Sequence, residues 1–123
     1  MDGHETTLHL IGRLLIAFVF LGTLATNATM KFEQHRSRME GYGVPFPKAA
    51  LIFGFAMQGV GGLMLLLDWH RQLGAWICIV FLVAATAIFH RWWTVHNEPL
   101  RRHFHISFVF GNVGLIGGLL LLI

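Results

Sequence analysis

Four apolar runs, each near the length a helix needs to cross a bilayer, constrain this chain more than any other feature. About 20 helical residues span the hydrocarbon core. The runs at 8–28, 49–67, 73–93 and 104–123 meet or approach that length. Charge is nearly absent inside them, with Arg13 in the first and Arg91 near the end of the third. The expected fold is therefore an all-α integral membrane protein, a four-transmembrane-helix bundle forming one domain over residues 1–123.

Composition agrees. Hydrophobic residues make up 55% of the chain and charged residues 12%, about half the roughly 25% charge usual in soluble domains. Disordered chains, coiled coils and most soluble folds are excluded. A net charge of +3 alone would raise the question of nucleic acid. The Lys and Arg residues lie mostly between the apolar runs, however, as in a membrane protein, and no nucleic-acid partner is expected. Cys78 is the single cysteine, which excludes an intrachain disulfide and a CxxC redox motif. The first run invites comparison with a signal peptide, but the preceding residues include Asp2, His4 and Glu5 in place of a basic region. The run is also too long for a signal-peptide core, and it is expected to be retained as a span.

The connections are short apart from residues 29–48, a basic stretch followed by Gly41-Tyr42-Gly43-Val44-Pro45-Phe46-Pro47. Each proline fixes its own φ and biases its predecessor to extended structure, which suits a sharp turn into the second span. Asp68-Trp69-His70-Arg71-Gln72 reads as a tight hairpin, and Pro99 interrupts the last polar link. Lys31, Arg36, Arg38, Lys48, Arg91, Arg101 and Arg102 fall on one side of the membrane, against Arg71 and Arg13 on the other. That bias puts the richer loops in the cytoplasm and both termini outside, in the periplasm.

Polar groups within spans should turn away from lipid. In the first span Arg13, Ile16, Phe20, Thr23, Asn27 and Lys31 recur at three and four and share a face. Counting from the basic side at ~1.5 Å per residue, Gln58, Asn112, Thr86 and Thr23 lie ~13, ~12, ~10 and ~7 Å deep. Four helices thus offer one polar layer, with two readings open. It is interhelical glue, or a small pocket for the carbonyl or hydroxyl of a ligand such as a quinone or lipid. Arg13 is expected to snorkel to its interface, with an ion pair to Asp68 as the alternative.

Five of the eight histidines, His35, His90, His96, His103 and His105, fall on the basic side. His90 with His103 or His105 is the one pair to weigh for haem or another metal. Their spacing matches no metal motif, so no metal site is expected and they read as interface residues. His90 follows Thr86 by one turn and would cap a pocket at that layer. Gly54, Gly61 and Gly62 flank Gln58, and Gly111, Gly114, Gly117 and Gly118 do the same in the last span, allowing close helix approach. Cys78 reads as a buried, inert thiol.

Six segments in order carry a resemblance. They are Gly12-Arg13-Leu14-Leu15, Met30-Lys31-Phe32, Gly43-Val44-Pro45, Gln58-Gly59-Val60-Gly61-Gly62-Leu63, Ala85-Thr86-Ala87-Ile88-Phe89-His90 and Gly111-Asn112-Val113-Gly114-Leu115-Ile116-Gly117-Gly118-Leu119. In this pattern the chain resembles the DoxX family of small four-helix bacterial membrane proteins. The resemblance implies a cytoplasmic-membrane protein tied to redox systems, such as quinone-reducing sulfur oxidation, electron-carrier maturation or oxidative-stress complexes. It places Arg13, Lys31, Gln58, His90 and Asn112 at the family's recurring polar positions. Gln58 stands where many relatives have Glu, which removes a proton carrier but keeps hydrogen bonding, including to a quinone carbonyl. Gly111 stands where a Lys often precedes the Asn.

The expected function is a membrane subunit of a redox complex, holding quinone or lipid between helices and anchoring a catalytic partner protein. A structural or assembly subunit without ligand is the alternative, and a small-molecule carrier is a third. Four short helices without an inverted repeat or intramembrane acid make a poor transporter. Nothing resembles a nucleophile–base pair, so an autonomous enzyme is not expected.

Overall fold

The computed structural model describes residues 5–30, 32–89 and 98–123. They form α1 (Thr7–Met30), α2 (Phe32–Gly41), α3 (Pro47–Leu66), α4 (Arg71–Phe89) and α5 (Pro99–Leu120). Four of these helices, α1, α3, α4 and α5, are long and apolar enough to cross a membrane. Leu8, Phe18, Phe53, Val83 and Phe110 stand more than half exposed along them. A soluble monomer does not present so much apolar surface; an all-α membrane bundle does.

Each helix boundary has a local cause. Thr6 caps α1, its hydroxyl accepting from the His9 N–H at 3.1 Å. Pro47 and Pro99 occupy the first turns of α3 and α5, where a missing N–H costs no helical hydrogen bond. The last helix accordingly starts at Pro99, five residues before the apolar run at 104. Helix α2 falls within the long connection, where the sequence pattern indicated no element. Arg36 holds it, pairing with Glu33 at 3.0 Å and Glu40 at 2.9 Å on successive turns. These hydrogen bonds, Glu33 foremost, raise the Arg36 guanidinium above its ordinary pKa.

Two helix ends share a Schellman geometry. Val44 N–H donates to the Met39 carbonyl at 3.0 Å, with Gly43 left-handed at φ 78°. At the end of α3, Trp69 N–H donates to the Met64 carbonyl at 2.9 Å, and the left-handed residue is Asp68 at φ 54°. The second case uses an aspartate where glycine is usual.

Helix α3 is the hub, packed most extensively on α1 and α4, whereas α5 lies mainly on α4. The core gathers Ala17 and Phe20 of α1, Leu65 of α3, Ala75, Cys78, Ile79 and Leu82 of α4, and Leu119 with Leu122 at the C-terminal end. Phe20 meets Phe81 edge-on at 6.3 Å. Glycine decides the α3–α4 crossing. A Cβ on Gly61 would lie 2.7 Å from Cys78 Sγ and 3.3 Å from the Gly74 carbonyl. Cys78 is fully buried there.

Candidate functional site

Gln58 sits on α3 with its side chain buried, 3% exposed, against α1. Its Nε2 donates to the Phe20 carbonyl at 2.8 Å and to Thr23 Oγ1 at 2.6 Å. Thr23 Oγ1 accepts that bond while donating its own proton to the Val19 carbonyl at 2.7 Å. A carbonyl only accepts, so the nitrogen must face Phe20 and the amide orientation is settled by chemistry. Both Nε2 protons are then engaged. The leftover atom, Oε1, is buried and has no hydrogen-bond partner among the described residues. An unmet buried acceptor costs about 1–3 kcal/mol.

The second half of the layer joins the other two long helices. Asn112 Nδ2 of α5 donates to Thr86 Oγ1 of α4 at 2.9 Å. The layer is thus resolved into two pairs, and among the described residues no hydrogen bond links one pair to the other. Asn27, one turn past Thr23, is half-buried near the end of α1. His90 and Lys31 lie outside the described residues.

Arg13 is buried at the opposite end of α1, 5% exposed. Its Nε donates to Glu5 Oε1 at 2.8 Å and one terminal nitrogen to Glu5 Oε2 at 3.1 Å. The other terminal nitrogen reaches the Leu65 carbonyl and the Leu66 carbonyl, the latter at 3.0 Å. These are last-turn carbonyls of α3, where a cation also complements the helix dipole. The ion-pair partner of Arg13 is Glu5, at 2.8 Å, and not Asp68, which lies 3.7 Å from Arg71. The Arg13 hydrogen bond, aided by His9 at 2.6 Å, draws the Glu5 carboxyl down to about 2.

Glu5 is the residue that sequence reasoning overlooked. The signal was present: Glu5, His9 and Arg13 recur every fourth residue and so share one helical face.

His103 is exposed and His105 buried on α5. His90, the other member of either candidate pair, lies outside the described residues. Among the described residues no group of three or more His, Cys, Asp or Glu side chains is placed to hold a metal. Of the glycines in α5, Gly118 meets Ile16, while Gly111, Gly114 and Gly117 face open space.

The profile of the DoxX family matches residues 8–91, the stretch that carries α1 to α4. The chain belongs to the DoxX family. No curated protein and no solved structure matches it. The DoxX match includes Arg13, Thr23, Gln58 and Thr86, so the α1–α3 bond and the capping of α3 are built wholly from family-matched sequence. Asn112 lies beyond it, on α5.

Proposed function

We propose that this DoxX protein is a non-catalytic membrane subunit of a redox-linked complex, retaining a quinone-type molecule or lipid at Gln58 and anchoring a catalytic partner. The observation that carries the reading is the unmet Oε1 of Gln58, a polar atom buried in an apolar bundle. Its chemistry sharpens the ligand. With both Nε2 protons engaged, Gln58 offers an acceptor and no donor. A quinone carbonyl has nothing to donate, whereas the hydroxyl of a hydroquinone or of a lipid does. The reading therefore favours the hydroxylated form of the ligand. His90 is proposed to cap the same site.

The location proposed is the bacterial cytoplasmic membrane, with the loops of Arg36 and Arg101 inside and both termini periplasmic, on the charge bias. A second reading draws on the Gln58–Thr23 and Asn112–Thr86 bonds themselves: the layer is glue in an assembly subunit without ligand.

The two readings part on one measurement. Gln58→Leu and His90→Phe are compared with the wild type for melting temperature and for quinol retained through gentle-detergent purification. Loss of quinol with little change in melting temperature supports binding. Unchanged quinol content in both variants, or loss that follows a fall in stability of about 1 kcal/mol, leaves glue as the account.

A further inference from the structure

We propose that the α3–α4 turn is a headgroup site for a phospholipid carrying a primary ammonium, an ethanolamine phospholipid. This rests on the membrane-spanning fold and is independent of any ligand at Gln58.

A cavity of about 530 Å³ opens at the turn, lined by Asp68, Trp69, His70, Arg71, Gln72 and Leu73. That volume falls in the range of small-molecule sites. It lies where two membrane-crossing helices end, at headgroup depth, and Trp69 stands 61% exposed beside it.

The polar groups of the cavity form an incomplete set. Asp68 Oδ1 is buried and has no hydrogen-bond partner among the described residues. The Arg71 terminal nitrogen, its ion-pair partner at 3.7 Å, is beyond hydrogen-bonding distance. Arg13, also at this end, is engaged by Glu5 and the α3 carbonyls. The carboxylate therefore has room for an N–H donor that the described residues do not supply.

Arg71 is the complementary half. Its Nε donates to the Leu122 carbonyl at 3.1 Å, which orients the guanidinium, and its terminal nitrogens make no hydrogen bond among the described residues. Arg71, Gln72 and Leu73 also open α4, so their backbone N–H groups have no acceptor within the helix. Together these donors suit a phosphate. One carboxylate and one guanidinium side by side match a zwitterion better than an anionic lipid. The ammonium must carry N–H groups, because choline has none to offer Asp68.

Asp68 also occupies the left-handed position of the Schellman turn, at φ 54°, where glycine is easiest. This makes Asp68→Gly a test that removes the carboxylate while suiting the backbone.

The full chain, delipidated in gentle detergent, is titrated with phosphatidylethanolamine, phosphatidylcholine or phosphatidylglycerol and the bound lipid counted by native mass spectrometry. Ethanolamine lipid should be retained at least about tenfold better than choline lipid, the lower end of what a charge-assisted hydrogen bond contributes. Asp68→Gly should abolish that preference with its melting temperature preserved. Should Asp68→Gly not fold, Asp68→Asn, which tolerates the left-handed backbone and removes the charge, must show the same loss. Equal retention of the two zwitterionic lipids, tighter retention of phosphatidylglycerol, or an undiminished preference in the variant that folds would each overturn the proposal. So would displacement of the lipid by millimolar glycerophosphoethanolamine or inorganic phosphate, which would assign the site to a soluble phosphate compound.

Discussion

The α1–α3 seam and the α4–α5 seam each contain an amide-to-threonine hydrogen bond in the middle of the bundle, Gln58 to Thr23 and Asn112 to Thr86. Their surroundings differ. Gln58 is buried, with Gly62 beside it close enough that an added Cβ would lie 2.9 Å from Leu21. Arg13 then ties α1 to the last turn of α3. Asn112 is half-buried, and Gly111 and Gly114 on its helix meet nothing within 4 Å. Helix α3 buries Leu51, Gln58, Gly61, Gly62, Met64 and Leu65, whereas α5 buries His105 and Leu119. The amide is thus packed into the interior in one seam, with Thr23 at its exposed edge, and makes a partly open contact in the other. A hydrogen bond acts as a structural constraint only where its neighbours exclude every alternative partner.

Breaking the tighter seam at its charged end should have the largest effect. Arg13→Met removes the donors to two α3 carbonyls and leaves Glu5 with His9 alone, at a cost of about 3 kcal/mol in a detergent melt. The same contact gives acid sensitivity with a defined sign. The Glu5 carboxyl is lowered from its ordinary 4.5 to about 2, so its contribution is fully present above pH 4.5 and is lost as pH falls through about 2. Melting temperature should decline over that window in the wild type, and Glu5→Gln should flatten the decline.

Glycine substitutions contrast the tight helix α3 with the open helix α5 directly. Gly61→Ala forces a Cβ to 2.7 Å from Cys78 Sγ and 3.3 Å from the Gly74 backbone, and should cost about 2 kcal/mol. Gly114→Ala meets nothing within 4 Å and should be neutral, or stabilising by up to about 1 kcal/mol through helix propensity. Equal losses in the two variants would show that α5 packs as tightly as α3.

The smallest effect is expected at the open seam itself. Asn112→Leu removes one half-buried hydrogen bond and should lower stability by about 0.6 kcal/mol, the average for such bonds between membrane helices. A loss as large as that of Gly61→Ala would mean the seam is closed in the membrane by something absent from the isolated chain.

The four spans were legible in the sequence because lipid imposes one requirement on every residue of a crossing helix, apolarity over about 20 positions, and that requirement needs no knowledge of neighbours. The family was legible in the order of short polar and glycine segments along this chain, and its profile matches residues 8–91. Helix α2 was not legible by the same criterion, since its stability comes from Arg36 pairing with Glu33 and Glu40 and from the buried Met39, not from an apolar run.

The sequence by itself determined which polar groups fall within the spans and their order along each helix. Tertiary structure alone decided how those groups pair. Gln58 could have bonded Thr86 or Asn112, and it bonds Thr23 because α3 packs on α1 along that face. Arg13 could have paired with Asp68, and it pairs with Glu5, eight residues earlier on the same face, while Asp68 pairs with Arg71. Order follows from counting residues along one helix. Partnership depends on how helices distant in sequence are rotated against one another, which no single span encodes.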